Sequence, residues 1–208
     1  EKLIGKTFKK FRDKVILVTK VGYKDFTGQQ DFSSDYIKSS LDKSLERLKS
    51  DYVDIYQLHD IQISLLDNSD EILPTLIDLK KRGKIRYFGI STKSQEDSIK
   101  VIDKKIFNCM QINFNLIDQR ANENGLFKKC IDNNVAIIGR TPLCFGFLTG
   151  KYNNTKFHED DHRKRWSKEQ IELWSSAYKI FFDKIKNSQN QSNTQLALRF
   201  CLSFPEIS

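Results

Sequence analysis

Five short apolar, β-branched runs alternate with stretches of helical periodicity, and this alternation limits the possible folds more than any other feature. The first run is Val15 to Thr19 (VILVT), followed by Gly22, Gly28 and a polar stretch. Ile37, Leu41, Leu45 and Leu48 then recur at three- and four-residue spacing behind Ser33 and Ser34, which suit a helix start. The second run is Tyr52 to Leu58, and the helix after it carries Ile72, Leu76 and Leu79 on one face. Pro74 is tolerated in that helix only in its first turn, and Gly83 is placed to end it. Tyr87 to Ile90 makes a third strand, and Ser94 with Asp97 resembles a capping box for a helix bearing Ile99 and Ile102. Cys109 to Asn115 makes a fourth strand, Leu126, Phe127, Cys130 and Ile131 mark a helix, and Val135 to Ile138 makes a fifth strand.

Strands that alternate with helices form parallel βαβ units with right-handed crossovers. The remaining choice is between a doubly wound sheet and a (β/α)8 barrel. A doubly wound nucleotide-binding fold wants G-x-G-x-x-G after its first strand, and that pattern does not occur. The expectation is therefore an α/β chain of the TIM-barrel type, with residues 1–208 forming one domain. Beyond the fifth strand, Lys151 to Lys168 is a polar loop of lid-like length. Helices follow over Lys168 to Lys186 and Ser192 to Ser203, the second with a capping box of Ser192 and Gln195.

Charge and cysteine content narrow the partners. The formal charge is +8, but the lysine pairs are dispersed rather than gathered on one face with aromatics, which argues against a nucleic-acid partner. No run approaches the roughly 18 apolar residues of a membrane helix, and no apolar segment of a secretory signal opens the chain. Cys109, Cys130, Cys144 and Cys201 lie far apart, as free thiols of a reducing compartment do, so the cytoplasm is the expected location.

In a parallel α/β protein the carboxyl ends of the strands share one rim, where a barrel builds its ligand site. Lys20, His59, Ser91, Gln111 and the pair Arg140 and Thr141 end the five runs. A lysine beside a histidine in a dry pocket can tune proton transfer, because each positive charge disfavours the other. His158 to His162 (HEDDH) satisfies the H-E-x-x-H zinc pattern, but it lies in a charged loop rather than on an amphipathic helix, so no metal is expected. Trp166 and Trp174 flank that loop, and packing is the better account of both.

Several blocks together resemble the aldo-keto reductase family. Asp51 to His59 (DYVDIYQLH), preceded by Ser40 to Leu48 (SLDKSLERL), is similar to its central signature. Gly83 to Ser91 (GKIRYFGIS), Gln111 to Asn115 (QINFN) and Arg140 to Tyr152 (RTPLCFGFLTGKY) match further family blocks in order. The resemblance runs from Glu1 to Phe204 and is closest to the sugar and aryl-alcohol reductase-like branch. It implies a (β/α)8 barrel that reduces aldehydes or ketones with NADPH, acting on a small-molecule carbonyl substrate. Lys20 and His59 match the family's catalytic Lys and His. Ser91, Thr92 and Gln111 match the positions that hold the nicotinamide amide, with Thr92 standing where the family has Asn. Arg140 matches the residue that stacks on the ring, and Thr141, Leu143, Gly146 and Lys151 match the lining of the pyrophosphate site.

The same resemblance sets Glu1 to Gly5 just after the family's catalytic Tyr. It leaves that Tyr, its partner Asp and two strands before residue 1, and the last strand beyond Phe204. The chain then holds strands three to seven of a barrel, and by itself it is expected to expose apolar edges, to be poorly stable and to be inactive. The alternative from another class is a regulatory or binding subunit that keeps the barrel and NADPH without turnover; a gene product without function is the third. Substrate identity and oligomeric state are not written in these residues.

Overall fold

The computed structural model describes residues 1–25, 27–68, 70–152, 156–183 and 190–208. Its strands are β1 (Val18–Val21), β2 (Val53–His59), β3 (Ile85–Ser91), β4 (Cys109–Asn113) and β5 (Ala136–Arg140), in one sheet ordered β1-β2-β3-β4-β5. The pairs β1–β2, β2–β3 and β3–β4 are parallel. This order never doubles back, whereas a doubly wound sheet reverses at its switch point. The helices are α1 (Lys2–Phe8), α2 (Ser34–Leu48), α3 (Ile63–Asn68), α4 (Ile72–Lys81), α5 (Gln95–Asp103), α6 (Arg120–Glu123), α7 (Leu126–Asp132), α8 (Lys168–Phe182) and α9 (Asn193–Leu202). The chain is α/β, in the sequential parallel arrangement of part of a (β/α)8 barrel. It divides into two compact units, Glu1–Gln111 with Lys129–Ala136, and Ile112–Lys128 with Ile137–Ser208.

In the first unit α2 shows how sequence becomes packing. The Ser33 hydroxyl accepts from the Tyr36 amide at its start, and Lys49 in a left-handed conformation (φ 51°) ends it. Ile37, Leu41, Leu45 and Leu48 are all buried, each contributing roughly 1.5–3 kcal/mol relative to exposure. The Tyr56 hydroxyl donates to the Ile37 carbonyl (2.9 Å), so Tyr56 faces α2. Strand alternation then turns Ile55, Gln57 and His59 to the opposite face. Pro74 falls in the first turn of α4, and Gly83 takes φ 72° just past its end.

On that opposite face the register stacks three layers. Val18, Ile55 and Tyr87 form the lowest, Lys20, Gln57, Gly89 and Cys109 the middle, and His59, Ser91 and Gln111 the uppermost, at the carboxyl ends. Val18 and Tyr87 are exposed. β1 starts at Val18 rather than Val15, and Ile16, which precedes it, is 75% exposed. α3 and α6 were not legible as helices, being too short to show a period. Ile131 is exposed on α7, although Leu126, Phe127 and Cys130 are buried as expected.

The second unit gathers around Phe114, whose ring packs on Phe127 (4.9 Å), Phe200 (5.6 Å) and Phe204 (4.8 Å). Cys144, Leu148, Phe182 and Ala197 form a second apolar cluster. The capping box of Ser192 and Gln195 starts α9, and Ser167 caps α8. α8 is described to Phe182; residues 184–186 of the expected helix lie outside the described residues. Ile207 forms a parallel bridge to Ile137 of β5.

All four cysteines are free and buried. Burial pushes the thiol of Cys109 up to about 11 and those of Cys130 and Cys144 up to about 12, so at neutral pH they are protonated packing groups rather than nucleophiles. No helix among the described residues is long and apolar enough to cross a membrane.

Candidate functional site

In the first unit the uppermost layer carries the polar residues. His59 ends β2 and is in register with Ser91 at the end of β3, and Ser91 is in register with Gln111 of β4. Lys20 sits one layer lower, opposite Gln57, rather than level with His59. It still shares a face with His59 across neighbouring strands, so the expected pair lies diagonally. Ser91 is almost fully buried, while the His59 side chain keeps 35% exposure, within reach of a ligand.

Thr92 is also buried, and its hydroxyl lies 2.6 Å from that of Ser98 in α5. Its amide donates to the Gln111 carbonyl (3.2 Å). The Thr92 side chain is thus engaged with α5, a geometry that the shorter threonine permits where the family motif has an asparagine.

Two residues that the motifs did not single out complete this rim. Asp60 follows His59 with φ 54°, a left-handed conformation uncommon outside glycine, asparagine and aspartate. One carboxylate oxygen accepts from the Ser91 hydroxyl (3.3 Å), and the other lies 4.0 Å from His59 Nε2 and 3.5 Å from the Tyr23 hydroxyl. The Tyr23 ring packs edge-on against the His59 imidazole, with centroids 4.8 Å apart. Gln30 Nε2 donates to the His59 carbonyl (2.9 Å), which holds the loop after β1 against the same strand end. Gly22 permits that approach: a Cβ there would lie 2.6 Å from the Phe32 ring and 3.2 Å from the His59 carbonyl oxygen. An aspartate after a strand reads in sequence as a turn residue, and only the fold reveals its neighbours.

In the second unit Arg140 ends β5, partly buried, and its carbonyl accepts from Phe114 (3.1 Å). The segment after it is conformationally strained. Thr141, Cys144 and Phe145 have φ of 60°, 44° and 54°, followed by Gly146 at 96°. The Thr141 hydroxyl donates to Asn113 Oδ1 (3.1 Å), and Asn115 Nδ2 donates to the Thr141 carbonyl (3.1 Å). A Cβ on Gly146 would stand 2.8 Å from the Tyr152 ring. Leu143 is partly buried and Lys151 exposed. Non-glycine residues held at positive φ cluster at ligand sites, and here Thr141, Cys144 and Phe145 take such conformations, Thr141 being held by side-chain hydrogen bonds.

The zinc-like motif does not assemble. His158 and His162 are 80% and 58% exposed in the loop, and Asp161 is tied to Arg163 (2.6 Å), whose hydrogen bonds hold the carboxyl down at about 2. Among the described residues no group of three ligands could hold a metal. Trp166 and Trp174 pack together (5.0 Å) and against Phe145 and Phe147, as expected of packing residues.

The model of the aldo/keto reductase family matches residues 1–207. The chain belongs to this family. It is 31% identical over 98% of its length to the aldo-keto reductase yakc [NADP(+)] of Schizosaccharomyces pombe, covering 62% of that protein. It is 32% identical over its whole length to L-galactose dehydrogenase of Arabidopsis thaliana, covering 63%. Among solved structures it is similar to the glycerol dehydrogenase AKR11B4 from Gluconobacter oxydans, with a TM-score of 0.78, 25% identity, and coverage of 99% of this chain and 65% of that one. The chain spans about half to two thirds of the length of the aldo-keto reductases and other relatives it matches.

Proposed function

We propose that the full-length protein is an NADPH-dependent reductase of aldehydes or ketones. One observation carries this reading: His59, Ser91 and Gln111 form one layer at the strand ends, with Lys20 beneath on the same face. His59 donates a hydrogen bond to the carbonyl oxygen of the substrate and so orients it. The positive charge of Lys20 favours the build-up of negative charge on that oxygen. NADPH, when bound, would supply hydride to the carbonyl carbon, and the oxygen would take its proton from the family's catalytic Tyr, which the resemblance sets before residue 1. Ser91 and Gln111 hold the nicotinamide amide, with Thr92 at the adjoining family position. Arg140 stacks on the ring through its planar guanidinium. Thr141, Leu143, Gly146 and Lys151 line the pyrophosphate, Lys151 supplying charge. The fit rests on two features: a hydroxyl and a carboxamide side by side in register, and a strained, hydrogen-bonded loop in which Gly146 leaves no room for a side chain.

The test is a fluorescence titration of the full-length protein with NADPH and, in parallel, NADH, followed by carbonyl-dependent loss of nicotinamide absorbance. L-Glyceraldehyde 3-phosphate belongs in the substrate panel, and L-galactose with NADP+ in the reverse assay read as a gain of absorbance, since relatives bear the names L-glyceraldehyde 3-phosphate reductase and L-galactose dehydrogenase. Saturable NADPH binding with turnover is the expected result. Binding without turnover over a broad panel would favour a regulatory subunit, and a folded protein that binds neither nucleotide would refute the roles given to Ser91, Gln111 and Arg140.

A further inference from the structure

Asp60 is placed as few surface aspartates are. Its side chain retains only 9% exposure, and its backbone amide donates to the Ser91 carbonyl (2.9 Å). Its two oxygens divide their neighbours, one taking the Ser91 hydroxyl and the other facing His59 Nε2 and the Tyr23 hydroxyl. We propose that Asp60 is a positioning residue that couples the carbonyl-binding His59 to the amide-binding Ser91. This rests on the reductase reading above.

The coupling has two parts. A carboxylate 4.0 Å from an imidazole nitrogen favours a proton on that ring, so His59 meets the carbonyl as a donor. The Ser91 hydroxyl donates its single proton to Asp60, which leaves its lone pairs to accept from an amide NH2 group. Ser91 is thereby set as an acceptor toward the nicotinamide carboxamide. Tyr23 completes the arrangement by clamping the imidazole edge-on while its hydroxyl leans on the same carboxylate. Lys20, on the same face of β1 one layer below, and Lys93 after β3, 5.8 Å from the Tyr23 ring, also bring positive charge to this rim. Both oppose a proton on His59, and Asp60 offsets them.

Asp60→Asn separates this role from a merely structural one, because asparagine tolerates the left-handed backbone and keeps the side-chain size. Asp60→Gly fits the same conformation and gives a second variant without the carboxylate. His59 is one of three histidines, so its ring signals are resolved in a nitrogen–proton NMR titration of the full-length protein. In both variants its titration midpoint should fall by about one pH unit, and the NADPH Kd should rise about tenfold, with kcat lowered and the thermal midpoint close to that of the parent. An unchanged His59 titration in both variants would overturn the proposal. A shifted His59 with an unchanged Kd would overturn the part played through Ser91. If the parent protein binds no nucleotide, the reductase reading fails by itself, and the NMR midpoint still decides whether Asp60 governs His59.

Discussion

The two ends of β2 each carry an aspartate of 9% side-chain exposure, and the two are held in opposite ways. Asp54, at the amino end, accepts from Arg12 (2.7 Å), Arg86 (3.0 Å) and the Leu17 amide (2.8 Å). Tyr52 lies between the same two guanidinium groups, which stand 3.9 and 4.3 Å from its ring centre. Arg12 also reaches the carbonyls of Val15 and Tyr52, so this end is a lock joining the segment before β1 to β2 and β3. Asp60, at the carboxyl end, sits on strained backbone among hydroxyls and an imidazole that stays open to a ligand. One end satisfies its charge with cations and stabilises the fold. The other holds its charge beside the hydroxyls and imidazole of the proposed site, as the carboxyl face of a barrel would.

Three substitutions probe the two ends of β2 separately. The largest expected effect is from Asp54→Ala, which leaves Arg12, Arg86 and the Leu17 amide without their acceptor. Removing one partner of a buried ion pair costs about 3–5 kcal/mol, and urea unfolding of the full-length protein should register it with nucleotide affinity unchanged in the fraction that remains folded. Next comes His59→Gln, for which kcat should fall about a hundredfold, or about 2.7 kcal/mol of transition-state stabilisation, with the unfolding curve in place. Should His59→Gln destabilise as strongly as Asp54→Ala, the separation of the two ends would collapse. The smallest effect is expected from Tyr52→Leu, which removes two cation–π contacts and the hydrogen bond from Arg86 to the Tyr52 hydroxyl (2.8 Å). Both guanidinium groups keep Asp54, so the loss should be about 1–2 kcal/mol, read from the same unfolding experiment.

Much of the fold was legible because local pattern and burial agree. The 3.6-residue period of Ile37, Leu41, Leu45 and Leu48 matches a buried helix face, and the apolar run of β2 matches a strand covered on both sides for most of its length. Ile16 reads as part of the first strand, yet it is exposed two residues before β1 begins. The short helices α3 and α6 lack the length to display a period.

The candidate site divides in the same way. Lys20, His59, Ser91, Gln111 and Arg140 are candidates because polar residues that end apolar runs stand out in sequence, and the family resemblance suggests roles for them. Their layering was not legible: that Lys20 sits opposite Gln57 and below His59 is a matter of register. Nor could Asp60 or Tyr23 be picked out, since each looks like an ordinary loop residue until β1, β2 and β3 are set side by side. The alternation of strands and helices, the capped helix starts and the residue types at the strand ends can be read from residues alone, because they follow from near-neighbour periodicity and hydrogen bonding. Which of those residues share a layer, and that a carboxylate stands between His59 and Ser91, emerges from strand pairing, which joins positions some thirty residues apart.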